Sequence, residues 1–75
     1  MKVKQLGSNQ VELVIPGKAR VLFSYNTPVA AFVEGGGWVK TDRFYSITTS
    51  KHINRYLNGV EAEIVDQSVI DELVS

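Results

Sequence analysis

Two short segments, Ala19–Tyr25 and Pro28–Glu34, are apolar on both of their faces. Under the two-residue alternation of a strand, Val21, Phe23 and Tyr25 fall on one side of the first segment and Leu22 on the other. In the second, Val29, Ala31 and Val33 oppose Ala30 and Phe32. Strands of this kind are covered twice, so they belong at the centre of a sheet. In 75 residues the second cover has to be a curled sheet, a helix or another subunit. A domain this small buries only about 60% of its unfolded surface, so each large apolar side chain counts.

The turn chemistry sets the strands around this pair. Gly7-Ser8-Asn9 separates a strand at Lys2–Leu6 from one at Gln10–Ile15, where Val11, Leu13 and Ile15 alternate with Glu12 and Val14. Pro16-Gly17 predicts a tight turn, because Pro fixes φ at the second position and Gly accepts a positive φ at the third. Asn26-Thr27 connects the central pair, with Pro28 at the first residue of its strand. Gly35-Gly36-Gly37 closes a further hairpin into Trp38–Thr41; no Lys-Ser/Thr and helix follow it, so it reads as a hairpin tip and not a phosphate loop.

Beyond Asp42-Arg43 the period changes to that of a helix. Ile53, Tyr56 and Leu57 share one face, and Lys51, Asn54 and Arg55 lie largely on the other. Thr48, Thr49 and Ser50 offer N-cap hydroxyls, and Gly59 stands where a left-handed C-cap would end the helix. A sixth strand is expected at Val60–Val65, with Val60, Ala62 and Ile64 on one face. A last helix, Gln67–Val74, is expected after an Asp66 N-cap, with Val69, Ile70, Leu73 and Val74 inward. The fold class is therefore α+β: an antiparallel five- to six-stranded meander, twisted or partly barrel-like, with two short C-terminal helices, as one domain over 1–75.

Two stretches are distinctive as motifs: Leu22-Phe23-Ser24-Tyr25-Asn26-Thr27-Pro28-Val29-Ala30, and Tyr45-Ser46-Ile47-Thr48-Thr49-Ser50-Lys51-His52-Ile53-Asn54 with Leu57 after it. Over roughly residues 6–58 the chain resembles an uncharacterised family of small proteins of phages and mobile elements. The resemblance implies a phage-type origin. It implies no activity and no site residues.

The residues themselves point to binding and not to turnover. His52 is the only histidine. A nucleophile–base pair would need Ser46, Thr48, Thr49 or Ser50 beside it, yet only Asp42 is nearby as an acidic orienting group and no oxyanion-hole motif is present. One histidine, no cysteine and scattered carboxylates do not assemble a metal site, and no cofactor motif occurs. The absence of cysteine fits a reducing compartment. No apolar run approaches the roughly 18 residues that span a bilayer, and Met1–Gly7 lacks the apolar stretch of a signal peptide. The expectation is a complete, natural chain acting in the cytoplasm of a host cell, with no membrane partner.

The net charge of zero is unevenly spread: +2 over residues 1–39, +3 over 40–55 and −5 over 56–75. Such a split either neutralises itself in the fold or creates two faces of opposite sign. Within residues 38–55, Trp38, Lys40, Arg43, Tyr45, Thr49, Ser50, Lys51, His52 and Arg55 interleave aromatic, hydroxyl and basic groups at a helix start. That is the composition of a phosphate or single-stranded nucleic-acid site. Neutral overall charge weighs against it. The favoured reading is a non-enzymatic protein that docks on a host or phage protein, with a homodimer expected if the central strands lack an internal second cover.

Overall fold

In the computed structural model, which describes residues 1–75, six strands form one open sheet. The strands are β1 (Lys2–Gly7), β2 (Gln10–Ile15), β3 (Ala19–Ser24), β4 (Thr27–Val33), β5 (Gly37–Thr41) and β6 (Glu63–Val65), and they lie side by side in chain order. Helix α1 (Ile47–Leu57) links β5 to β6, and α2 (Gln67–Leu73) follows β6. β1 to β5 are an antiparallel meander, whereas β6 pairs in parallel with β5. The last step is thus a β–α–β unit and not a hairpin, and the two sheet edges do not close into a barrel. Neither helix is long and apolar enough to cross a membrane.

The turns follow their residues. Gly17 adopts φ 73, and Lys18 donates its N–H to the Ile15 carbonyl at 3.0 Å, as a Pro-Gly turn requires. Tyr25 departs from expectation. It leaves β3 and enters a two-residue turn with φ 59, a conformation costly for a bulky side chain. Its N–H donates to the Asn9 carbonyl at 2.8 Å, which ties this turn to the β1–β2 turn beside it.

The two-sided strands are explained by the helices, which pack on opposite faces of the sheet. On one face Ala19, Val21, Ala31 and Val39 bury Ile70 of α2, joined by Phe23, Val33, Val65, Leu73 and Val74. On the other, Leu22, Val29 and Ala30 lie beneath Ile53 and Tyr56 of α1. A register shift between Leu22 and Phe23 accounts for Val29. Pro28 pairs with Phe23 and Ala30 with Leu22, so Val29 is the extra residue of a bulge and turns to the face of Ala30. The alternation expected from sequence had placed it with Ala31. The apolar side chains therefore form two cores separated by the sheet, and the homodimer expected from uncovered central strands loses its premise.

Several boundaries shift for physical reasons. β6 keeps only three residues, Ile64 is 63% exposed, and Val65 is the residue of that strand that meets the α2 core. Val69 is likewise on the outside of α2. Helix α1 starts earlier than the Thr48–Ser50 hydroxyls suggest, because Ser46 is the N-cap and accepts from the Thr49 N–H at 3.1 Å. At the other end Asn58, at φ 48, caps the helix one residue before Gly59. Asp66 caps α2 as expected, and the Ser68 hydroxyl and N–H that it accepts hold its carboxyl below the usual carboxylate range.

Leu22 and Ile70 are each fully buried, in different cores. Leu22→Ala should cost about 2–5 kcal/mol and Ile70→Val about 0.5–1.5 kcal/mol. With the sheet between them and no shared partners, the double variant should add to within about 0.5 kcal/mol in urea titrations. A clear excess or deficit would mean that the two cores act as one.

Candidate functional site

Helix α1 presents residues 49, 52, 53, 56 and 57 to the sheet, at the spacing of one helical face. Thr49 and His52 are polar members of that face, and Ser24 rises from β3 to meet them. The Ser24 hydroxyl lies 2.8 Å from His52 Nδ1 and 3.0 Å from Thr49 Oγ1, and the Ser46 hydroxyl donates to the same Thr49 oxygen at 3.2 Å. The two motif stretches of the sequence thus meet at this node. The Tyr25 ring lies 6.0 Å from that of His52, over the node's outer end.

Ser24 and His52 have the separation of a nucleophile and its base. Ser24 is nonetheless 2% exposed and its oxygen already has two partners, so no substrate atom reaches it without lifting α1 from the sheet. The arrangement works as a polar clamp between helix and sheet. No fully buried side-chain nitrogen or oxygen lacks a hydrogen-bond partner, which means that the clamp is complete.

Two further polar links tie the helices down. Tyr56 of α1 donates its hydroxyl to Glu12 at 2.6 Å, with Glu12 almost entirely buried. Burial first, then the hydrogen bond and the charge of Glu12, push the Tyr56 phenol well above its ordinary value. On the opposite face Gln67 of α2 donates to the Pro28 carbonyl at 2.7 Å and to Asp71 at 2.9 Å, and accepts from the Tyr45 hydroxyl at 2.9 Å.

The concave surface lies beside α1 and not at its N-terminus. Residues 40–44, from β5 and the connection after it, form one wall, and Ser50, Ile53 and Asn54 form the other. The groove is open, with a volume of about 180 Å³. Phe44 and Ile47 are 71% and 70% exposed next to it in the chain. Of the nine residues expected to share a site, Lys40, Arg43 and Ser50 line this groove. Lys51 and Arg55 are exposed on the outer side of α1. Thr49 and His52 are buried in the clamp, and Tyr45 is turned toward α2. Trp38 is packed elsewhere, 4.9 Å from the Phe32 ring and 5.9 Å from that of Tyr56. The anion site expected at the helix start is altered by Ser46, which occupies the Thr49 N–H.

Fold and surface together define a small α+β module with a six-stranded sheet, a helix on each face and one open groove. The chain belongs to a family of unknown function, DUF8033, whose model matches residues 1–72. The match takes in the acidic C-terminal segment as well as the two motifs. No curated protein and no solved structure matches it.

Two outcomes check the polar links. Ser24→Ala removes the clamp's shared oxygen and should destabilise by about 1–3 kcal/mol in urea; a wild-type midpoint would mean that the node holds nothing together. A raised folded-state value for Tyr56 means that its contribution is fully present below the unfolded phenol value and is lost as pH rises through the folded one. The melting temperature should therefore fall above about pH 10, and Tyr56→Phe should remove part of that slope while lowering stability at neutral pH.

Proposed function

We propose that this protein is a non-enzymatic docking module that engages a protein partner through the groove between β5 and α1. The observation that carries the reading is a pair of exposed large apolar side chains, Phe44 in the groove wall and Ile47 three residues on, where that wall also holds Lys40 and Arg43 against the single carboxylate of Asp42. Covering such side chains with a partner removes apolar area from water, and two cations against one carboxylate favour an acidic, partly apolar segment. Ser50 and Asn54 add hydrogen-bonding capacity to the opposite wall. The resemblance to small proteins of phages and mobile elements makes a phage accessory protein, acting on a host or phage protein in the host cytoplasm, the natural setting.

A photo-crosslinking amino acid at position 44, compared with one at Lys18 in the distant β2–β3 turn, tests this in living host cells. A discrete protein adduct at 44, absent at 18 and insensitive to nuclease, is the expected result. Phe44→Ser with Ile47→Ser should abolish partner capture while leaving the melting temperature within a few degrees, since both side chains are already solvated. An adduct removed by nuclease would transfer the groove to nucleic acid, and no adduct at all would end the docking reading.

A further inference from the structure

A second surface lies on the α1 side of the sheet, one row along from Lys40 of the groove. Residues directly opposite each other on neighbouring strands point to the same face. The register runs Lys2 to Val14, Val14 to Arg20, Arg20 to Phe32 and Phe32 to Trp38, so one row crosses five strands. The Arg20 guanidinium lies 5.4 Å from the Phe32 ring centroid and 5.9 Å from that of Trp38. Tyr56 closes the row against α1. Lys2 and Arg20 are exposed, and Phe32 and Trp38 are only half-buried.

The charges around this row share one sign. The next row on the same face contains Lys4 and Lys40, and α1 carries Lys51 and Arg55 outward. The only acidic side chain on those rows is Glu12, which is buried and occupied by Tyr56. Asp42 stands with Lys40 in the groove against α1, whereas four other acidic groups are on the other side. Glu63 pairs with Val39 and so shares the α2 face, and Asp66, Asp71 and Glu72 belong to α2 or its cap. The sheet face under α1 is thus basic in its exposed strand residues, and the α2 side carries four of the acidic groups.

We infer that the Arg20–Phe32–Trp38 row is a binding site for single-stranded nucleic acid, with bases against the aromatic rings and phosphates on Arg20 and Lys2. An aromatic surface alone would take any flat apolar group. Arg20 beside the rings and Lys2 at the far end of the row, on a face with no free carboxylate among its strand residues, select a ligand that combines rings with negative charge. This site is independent of the groove and of the docking reading.

Trp38 is the only tryptophan, so its emission reports the site directly. An eight-nucleotide thymidine strand, titrated at low salt, should quench that emission saturably. Two phosphate contacts predict a loss of about 25-fold in affinity per tenfold rise in salt. Arg20→Gln and Lys2→Gln, each at an exposed position, should weaken binding at least fivefold without shifting the melting temperature by more than a few degrees, whereas Phe44→Ser should leave it unchanged. Four results would each overturn the assignment: no quenching at millimolar strand, equal quenching by polyglutamate, equal quenching by the same sequence as a duplex, or binding indifferent to Arg20→Gln and Lys2→Gln.

Discussion

Burial of the β3–β4 pair between two helices is the constraint on which the rest of this structure depends. Leu22 and Ala30 face one way, Val21 and Ala31 the other, and all four are sealed from water. A single-layer sheet would leave one set exposed, and a chain this short cannot fold a second sheet over it. The solution is one helix on each side. After β5 the chain runs back along one face as α1, so β6 starts at the same end as β5 and pairs with it in parallel, and α2 then takes the opposite face. Small residues at the centre of both strands, Ala30 and Ala31, let each helix approach closely.

Apolar contact alone does not say where on the sheet a short helix should sit. Polar groups supply that information. Ser24 holds α1 at Thr49 and His52, Glu12 holds it again at Tyr56, and Gln67 holds α2 at the Pro28 carbonyl. A buried donor or acceptor displaced from its partner costs free energy with no compensation from a slightly different packing, so each of these links penalises sliding. Seven buried polar or charged residues beside nine buried hydrophobic ones is a large share, and five of the seven take part in these links.

What could be read from the sequence was local. The Pro16-Gly17 turn, the alternation of β2, the Asp66 cap and the Ile53–Tyr56–Leu57 face each follow from residues within one or two turns of one another. The bulge at Val29 was not legible, because pairing Phe23 with Pro28 depends on the geometry of two strands at once. Ser46 is one of four closely spaced hydroxyl residues, any of which satisfies the cap pattern. The partner of His52 lies 28 residues away, outside the reach of any local pattern. As for the candidate site, composition marked one stretch of chain, and the helix divides it. Lys40, Arg43 and Ser50 reach one groove, Thr49 and His52 go inward, and Trp38 joins Arg20, which no local pattern linked to it.

The separation of charge between the two faces gives this neutral protein an electrical direction. Its formal charges cancel in number but not in position. Across its shortest extent the molecule measures 23 Å, whereas salt at physiological strength damps electrostatic fields over about 8 Å. A charged surface approaching from one side therefore senses that side alone. To such a surface the protein is more basic or more acidic according to how it is turned, and its isoelectric point near 6.5 describes neither encounter. Orientation is selected before contact, by rotation rather than by attraction of the whole.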